Sequence, residues 1–456
     1  MWNGCGCAAS KTVCFLLDIS MPISEYAVFC IDPAVCCCCA VLRTDNLRNR
    51  VKMNKFKAVP GGITAPKGYK AAGIQAGIKA PKLDMALIVS DRPAAVAATF
   101  TTNRIQGNHV KLCKKLVKAG KAQAIIVNAG NANACNGQQG LKDAVRMSEV
   151  TAAELGGISP KLVFPCSTGC IGLPMPMAKI EAGIKLAAAA LSTTGGPIAA
   201  RAIMTTDTVD KQVSIEFKAG GKTIRIGGMA KGAGMIEPNM ATMLAFLTTD
   251  AAVETGALRK LLPQAVSESF NRITVDGDQS CNDTVLLLAN GMAGNQPLNQ
   301  KHRDWPVFAA AVSYAARELA IKVVKDGEGA TRFVTVVVKG AATDADAKKA
   351  TRAIANSLLV KTAWCGGDPN WGRIIDAVGY SGAMIKEELT EIRFDKLAAV
   401  KKGRRAPGVE LKDLEKVYAQ KSFTVEVNLH LGKGSDTVYT CDCTEEYIKI
   451  NAEYMT

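Results

Sequence analysis

Runs of apolar residues divide most of the chain into strands and helices. Alternating or short continuous apolar runs are typical of strands, and apolar positions three and four residues apart are typical of amphipathic helices. Strands are predicted in LDMALIVSDRPAAVAATF (83–100), AQAIIVNAGNANACNG (122–137), KLVFPCSTGCIG (161–172), QVSIEFK (212–218), KTIRIGG (222–228), TVLLLAN (284–290) and FVTVVVKG (333–340).

Several of these segments carry a more detailed prediction. The segment 83–100 is expected to be a strand, a loop and a second apolar segment. The strand of 122–137 is buried and runs into a loop rich in Asn and Gly, whereas that of 161–172 breaks at Ser167-Thr168-Gly169. Ala219-Gly220-Gly221 predicts a hairpin between its flanking strands.

Helices alternate with these strands. The helical segments are LKDAVRMSEVTAAELG (141–156), PMAKIEAGIKLAAAALS (176–192), ETGALRKLLPQAVSESFNRI (254–273) and DADAKKATRAIANSLLV (344–360). Pro263 should kink or split the third, and the acids in the first turn of the fourth suit the helix dipole. The segment 422–442 is predicted as a closing hairpin. This mixture predicts an α/β fold class with layers and mixed sheets.

Size and charge narrow the function. The 456 residues can bury a large core, and no apolar run is long enough for a transmembrane helix, so no membrane partner is predicted. The formal net charge is +15, but the basic residues are scattered and aromatics are scarce. A surface that attracts acidic metabolites is therefore favoured over a nucleic-acid partner.

Residues 1–52 differ from the rest, with eight of the 16 cysteines in the first 39 positions. The preferred interpretation is a translated upstream region with the true start at Met53, outside the fold. A divergent organelle leader comes second, and a cysteine-rich metal module third. The predicted location is therefore cytoplasmic, with an organellar alternative. No metal is predicted, because the other cysteines and the histidines His109, His302 and His430 are widely separated.

Familiar catalytic motifs are missing from the sequence. There is no phosphate-binding G-x-x-x-x-G-K-[ST], no G-x-S-x-G elbow and no H-E-x-x-H. What remains are polar loops at strand ends, where sites usually lie. Each alone is more simply a turn, but seven together favour a site: 128–136, 167–172, 205–208, 231–244, 276–284, 326–331 and 366–373.

The loop KGAGMIEPNMATML, residues 231–244, fits neither a strand nor a helix. A threonine hydroxyl is a poor nucleophile unless a base activates it, and an α-amine freed by chain cleavage can be that base. Thr242 would have to attack the Ala241 carbonyl. The small Ala241 gives access, and Pro238 and the glycines permit an exposed loop. On this stretch alone, a threonine without chemistry remains the simpler interpretation.

Three other positions suit an attack on a carbonyl. Thr168 and the unhindered N–H of Gly169 could stabilise an oxyanion. Lys231 could hold a substrate carboxylate or tune a nearby amine, and Glu328 could hold a substrate ammonium. The simpler alternatives are an ordinary turn for Thr168 and Gly169, a solvated surface lysine for Lys231, and a residue that only shapes a turn for Glu328.

GGMAKGAGMIEPNMATMLAFLTTDA resembles the self-cleavage region of the bifunctional arginine-biosynthesis enzymes, glutamate N-acetyltransferase or ornithine acetyltransferase. The likeness covers most of the chain beyond residue 52. Its other motifs occur in the family's order: GGITAPKGY, NAGNANACNG, STGCIG, AIMTTDT, TVDGDQSCNDT, KDGEGATRF, GGDPNWGRI and NAEYMT.

The resemblance implies a specific mechanism. The chain would cut itself between Ala241 and Thr242, giving an α chain, 53–241, and a β chain, 242–456. Thr242 would take acetyl from N2-acetyl-L-ornithine and pass it to L-glutamate, with Thr168 and Gly169 as the oxyanion pair. The implied substrate contacts are Thr205, Lys231, Thr242, Glu328, Asn451 and Thr456.

The resemblance further implies a two-domain α/β sandwich and a heterotetramer of two α and two β chains. No cofactor is expected, because exchange between two amides needs neither ATP nor a metal, although some family members also use acetyl-CoA as donor. The alternative within enzymes is an amidase or aminopeptidase with an N-terminal nucleophile, in which water replaces glutamate.

Overall fold

Two mixed β-sheets organise residues 56–79, 81–237 and 243–453, the part of the chain that the computed structural model describes. Within these residues lie fifteen strands and eleven α-helices. The predicted α/β class with mixed sheets is therefore confirmed. No helix in the described ranges has the length and apolar character needed to cross a membrane.

The larger sheet has nine strands in the order β1-β6-β7-β8-β9-β3-β4-β5, with β2 paired to β3. The pairs β4–β5 and β8–β9 are parallel and the other pairs are antiparallel. The strands are β1 (Lys57–Ala58), β2 (Tyr69–Ile74), β3 (Met85–Phe100), β4 (Lys121–Asn131), β5 (Val163–Cys170), β6 (Lys211–Ala219), β7 (Lys222–Lys231), β8 (Leu244–Thr249) and β9 (Thr284–Ala289).

The smaller sheet has six strands in the order β13-β12-β11-β14-β10-β15. Only β10–β14 is parallel within it. The strands are β10 (Phe333–Ala341), β11 (Glu391–Phe394), β12 (Leu397–Lys401), β13 (Arg404–Arg405), β14 (Ser422–Asn428) and β15 (Gly434–Cys441).

Helices cover the sheets. They are α1 (Asn108–Leu116), α2 (Gly137–Glu154), α3 (Met177–Ala189), α4 (Gly196–Ala202), α5 (Thr255–Ser267), α6 (Trp305–Lys325), α7 (Asp344–Asn356), α8 (Leu358–Gly366), α9 (Trp371–Gly379), α10 (Leu411–Tyr418) and α11 (Glu445–Glu453).

Strands β8 and β9 are buried on both faces. Leu247 and Leu287 face a core shared with α5 and α6, whereas Phe246 and Leu286 face a second core that includes residues of α4. Each fully buried side chain of this size contributes about 1.5–3 kcal/mol. The continuous apolar run of β9 reflects this double burial, which fixes the central strands whose ends build the site.

Two strand predictions need correction. Within residues 83–100, Met85–Phe100 form one strand, β3, rather than two segments joined by a loop. Pro93 lies where the pairing with β4 shifts register between Val89 and Ala94, so its missing N–H interrupts no regular ladder. Strand β5 also continues through Ser167-Thr168-Gly169, because Gly169 still pairs with Gly130 of β4.

The predicted closing hairpin is wrong. Both of its strands exist, as β14 and β15, but β10 lies between them and pairs with each. The inner residues Val334, Val336 and Val338 of β10 are fully buried in one core cluster with residues of α7, and the strand's two edges are paired with β14 and β15. The hairpin predicted around Gly220-Gly221 is confirmed, since β6 and β7 pair directly.

Two helix predictions also change. Residues 344–360 are not one helix, because α7 ends before Ser357, whose hydroxyl caps the start of α8. Helix α5 continues through Pro263, so the alternative of a split is wrong. Buried Leu258, Leu262 and Val266 lie on both sides of the proline, and their burial offsets its cost of about 3 kcal/mol.

Candidate active site

A cavity opens at one edge of the larger sheet, where β5 and β7 end and β8 begins. Lys231 at the end of β7 pairs with Leu244 at the start of β8, so the loop 232–243 begins and ends at this edge. The lining includes the loop 276–283 and the last helix, α11. The lining residues are Gly130, Ala132, Thr168, Gly169, Cys170, Ile171, Thr205, Thr206, Lys231, Gly234, Met235, Met243, Leu244, Asp276, Asp278, Ser280, Cys281, Asn282, Asp283, Glu328, Tyr447 and Asn451.

Thr168 and Gly169 lie at the cavity end of β5. Gly169 has a φ of 125°, and a Cβ there would lie 2.6 Å from the Gly130 Cα, so both the backbone conformation and the space require glycine. The Thr168 hydroxyl lies 3.4 Å from the Lys231 Nζ. A hydroxyl and an ammonium group therefore converge on one side of the cavity.

Lys231 is buried, with 8% of its surface exposed. Burial lowers the pKa of its ammonium group, and the nearby Asp207 carboxylate opposes that effect. A buried ammonium group beside a cavity is poorly solvated. It therefore has a strong electrostatic attraction for an anionic ligand group.

Behind Lys231 lies a buried ion network of two aspartates and one lysine. Lys211 Nζ is 2.6 Å from Asp207 Oδ1 and 2.5 Å from Asp326 Oδ2. Burial acts to raise the pKa of Asp207, but the ammonium groups of Lys211 and Lys231 and the Gly232 N–H outweigh it, so the pKa is lowered. Asp207 is therefore an anion in the folded protein at neutral pH.

Carboxylates also line the cavity. Glu328 is buried, and its Oε2 accepts a hydrogen bond of 2.7 Å from the Nδ2 of Asn451 on α11. The backbone N–H of Glu328 donates to the Ala233 carbonyl at 3.0 Å. Helix α11 thus holds the carboxylate of Glu328, and the loop after β7 holds its backbone.

Asp276 organises the loop that follows β7. Its two carboxylate oxygens accept the backbone N–H groups of Met235 and Ile236 at 2.6 and 2.8 Å. Burial raises the pKa of Asp276. Burial, with Asp276 and Glu328 nearby, also raises the pKa of Tyr447, so its phenol stays protonated at neutral pH and donates to the Asp276 carboxylate.

The rear wall of the cavity is also polar. The Asn282 side chain donates to the carbonyls of Ala132 and Ser167 at 2.7 and 2.9 Å, and so joins the approach to β9 to the strand that carries Thr168. Asp283 is buried, and burial raises its pKa well above the usual range despite the nearby Lys231. These contacts fix the wall against which a ligand would lie.

Six of the residues predicted from the sequence line this one cavity: Thr168, Gly169, Thr205, Lys231, Glu328 and Asn451. Ala241, Thr242 and Thr456 lie outside the described residues. Met243, which follows Thr242 in the chain, lines the cavity. The individual roles of all these residues stay predictions.

Asp207, Asp276, Asp283 and Tyr447 are among the polar residues in or beside the site that the sequence did not single out. The first three lie in loops already singled out as polar strand ends, but no pattern distinguished them from turn residues. Tyr447 carries no signal, because only the position of α11 brings it to the cavity. Among the described residues, no group of three or more His, Cys, Asp or Glu side chains could hold a metal ion.

The fold and the cavity define a class of protein. A hydroxyl donor stands beside a buried ammonium group, and both line one cavity with a backbone glycine and a carboxylate, where strands of a mixed sheet end. Such a cavity suits an enzyme that acts on a small molecule carrying both charges, since each charge meets its opposite.

The chain belongs to the ArgJ family, whose model matches residues 70–456. The arginine biosynthesis bifunctional protein ArgJ of Symbiobacterium thermophilum is 48% identical over 399 residues, which cover 87% of this chain and 99% of that protein. The protein of the same name from Geobacter sulfurreducens is 49% identical over 391 residues, or 86% and 99% of the two chains. The predicted class, an acyltransferase of arginine biosynthesis, is therefore confirmed.

Solved structures of this family are also similar. A crystal structure of the arginine biosynthesis bifunctional protein from Bacillus halodurans is 40% identical and covers 45% of this chain and 97% of its own, with a TM-score of 0.44. The ornithine acetyltransferase of Mycobacterium tuberculosis, solved in complex with ornithine, is 39% identical and covers 41% of this chain and 100% of its own, with a TM-score of 0.39.

Proposed function

We propose that the protein transfers acetyl from N2-acetyl-L-ornithine to L-glutamate, which yields L-ornithine and N-acetyl-L-glutamate. The observation that carries the proposal is the shared cavity of Lys231, Thr168, Gly169 and Glu328, with Met243 in its lining. Met243 follows the proposed nucleophile, Thr242, in the chain. The name of the relative from Mycobacterium tuberculosis, an ornithine acetyltransferase, agrees with the proposed donor.

A cationic and an anionic side chain in the cavity lining suit the two charges of an amino-acid substrate. Lys231, in its protonated form, holds the α-carboxylate. Glu328, oriented by Asn451, holds an ammonium group. Thr205 and Thr456 are proposed as further contacts. Because one group of the cavity lining is cationic and another is anionic, a substrate binds in one orientation and presents its acetamide to the donors at Thr168 and Gly169.

The chemistry proceeds in two half-reactions. The Thr242 hydroxyl loses its proton to its own α-amine and attacks the acetyl carbonyl, while Thr168 and Gly169 stabilise the oxyanion. The C–N bond breaks, ornithine leaves with the proton, and an acetyl ester remains on Thr242. The glutamate amine then attacks this ester, and Thr242 regains its hydroxyl proton.

The same hydroxyl first releases the α-amine. We propose that Thr242 attacks the Ala241 carbonyl and that the C–N bond breaks, which moves the acyl group to the Thr242 oxygen and frees the α-amine. Water then hydrolyses this ester, which restores the Thr242 hydroxyl and leaves residues up to Ala241 as a separate α chain with a terminal carboxylate. The β chain then begins at Thr242. An amide-to-amide exchange needs no external energy source, so no cofactor or metal is proposed. Acetyl-CoA is a second candidate donor of the acetyl group, to be assayed.

The test is a product balance with purified protein. Ornithine should form from N2-acetylornithine only when glutamate is present, and N-acetylglutamate should form in equal amount. Release of free acetate without glutamate would instead identify an amidase. A parallel incubation with acetyl-CoA and glutamate tests the second donor.

Assembly and location belong to the same proposal. We propose that two α and two β chains associate, and native mass spectrometry of the cleaved protein would count them. The proposed location is the cytoplasm. Microscopy of the full chain and of a chain beginning at Met53 would test it, because an organellar leader in residues 1–52 would move only the full chain.

A further inference from the structure

The Asp207–Lys211–Asp326 network lies beside the site, but the proposed chemistry does not use it. Its three side chains expose 0%, 0% and 6% of their surfaces. Removing three charged groups from water is costly, and a well-packed apolar set often serves stability as well. The contacts of the network therefore indicate what it positions.

Asp207 connects two segments of the chain beside the cavity. Its Oδ2 accepts the Thr205 N–H at 2.9 Å, and its Oδ1 accepts the Gly232 N–H at 2.7 Å. Gly232 follows Lys231 and has a φ of 148°, a conformation that L side chains rarely adopt. One carboxylate thus fixes both the Thr205 segment and the start of the loop 232–243.

Asp326 extends the network to a third segment. It accepts the N–H of Thr208 at 3.1 Å and also the hydroxyl of that residue. Two residues further along the chain, Glu328 is held by the Ala233 carbonyl. The network therefore joins the segments that carry Thr205, Lys231 and Glu328.

We infer that Asp207 is a positioning residue that fixes Lys231 and the Gly232 backbone relative to Thr168 and Thr205. The inference rests on the proposed function, because it takes Lys231 as the cation that holds a substrate carboxylate. Asp207 itself touches backbone N–H groups and Lys211, and it acts on the substrate through Lys231.

Charge provides a readout that a purely structural role would not change. Burial lowers the pKa of Lys231, and Asp207 is the carboxylate that opposes this most. The charged groups that face Lys231 are Asp207, Lys211, Glu328, Asp283 and Lys79. Loss of the Asp207 charge should therefore lower the pKa of Lys231, whereas loss of the Lys211 charge should raise it.

The test is the pH dependence of kcat/KM for acetyl transfer. Lys231 must be protonated to hold a carboxylate, so activity is lost as pH rises through its pKa. For Asp207→Asn, we expect this alkaline limb to move to lower pH by about one unit. Lys211→Gln should move it to higher pH. Asp210→Asn, which removes a nearby exposed carboxylate, is the matched control and should leave the limb in place.

The outcomes separate the inference from the proposed function. A wild-type protein without acetyl transfer would refute the proposed function before any variant is compared. With an active wild type, a folded Asp207→Asn variant whose alkaline limb is unmoved would overturn the inference, as would an equal shift in Asp210→Asn. If Asp207→Asn does not fold, Lys211→Gln decides: an upward shift supports the inference, and an unmoved or lowered limb refutes it.

Discussion

The Gly234 backbone lies directly against the carboxylate of Glu328. A Cβ at Gly234 would lie 2.5 Å from the Glu328 Cδ, closer than non-bonded carbon atoms approach. Gly234 does not have a positive φ, so the space, and not the backbone conformation, excludes a side chain. The small residue at 234 thus sets the position of the carboxylate proposed to hold the substrate ammonium.

Gly234→Ala should displace the Glu328 carboxylate while the protein still folds, because the end of a flexible side chain can move. A displaced carboxylate loses its charged hydrogen bond to the substrate, worth about 1.5–3 kcal/mol, so we expect KM for N2-acetylornithine to rise about tenfold or more. Gly256→Ala is the matched control, since nothing lies within 4 Å of a Cβ there. An unchanged KM in Gly234→Ala would remove Glu328 from ammonium binding.

Thr242→Ala should give an uncut chain without acetyl transfer, because both proposed reactions begin with the same hydroxyl. Intact-mass measurement of the purified variant and wild type is the direct check. Thr242→Ser keeps a hydroxyl and should still be cut. Two chains in the alanine variant, or a fully active uncut wild type, would refute Thr242 as the nucleophile.

Thr168→Ala should slow cleavage and acetyl transfer together, if one oxyanion site serves both. Loss of one donor to a developing oxyanion typically costs about 10²–10³ in rate. The exposed Thr194 provides a control, since Thr194→Ala removes a surface hydroxyl whose hydrogen bond joins it to the Ser192 hydroxyl at 2.9 Å. If Thr168→Ala changes neither rate, Thr168 has no part in the chemistry.

His109 makes stability depend on pH. It is fully buried, its Nε2–H donates to the Asn282 carbonyl at 3.3 Å, and its Nδ1 has no hydrogen-bond partner among the residues that the structure describes. Burial lowers its pKa to about 4. Because the unfolded chain takes up the proton at a higher pH, near 6.5, the free energy of unfolding should fall by about 2 kcal/mol from pH 7 to pH 5.

Chemical denaturation of wild type and His109→Gln at both pH values tests this dependence. Glutamine can donate to the same carbonyl but does not titrate, so the variant should lose less stability on acidification than the wild type. Equal losses in the two proteins would assign the acid sensitivity to other groups.

Sequence patterns predicted elements better than their partners. The apolar runs of β9 and β10 identified strands correctly, since β9 is buried on both faces and β10 alternates between buried and partly exposed residues. The pairing of β14 and β15 was wrong, because adjacency in the chain does not reveal that β10 enters between them. The apolar pattern of a segment indicates which of its residues are buried, whereas strand pairing depends on segments that are distant in the chain.

The residues of the site likewise differ in whether the sequence identified them. Thr168 and Lys231 are 63 residues apart in the chain and in hydrogen-bond range in the fold, and motifs identified both. Asp207 was not identified, because a buried aspartate and a turn aspartate have the same sequence surroundings. Only the positions of Lys211 and Asp326 distinguish them.

The strand order of the larger sheet has a consequence for the two products of cleavage. A cut after Ala241 would leave β1–β7 in one product and β8 and β9 in the other, yet β8 and β9 lie between β7 and β3. Strands β8 and β9 of the second product would thus lie between strands of the first, and each of the two would be hydrogen-bonded on both sides. Neither product expressed alone would contain the complete larger sheet. The cut would therefore leave the two products folded together as one unit, and they would not exchange with other copies.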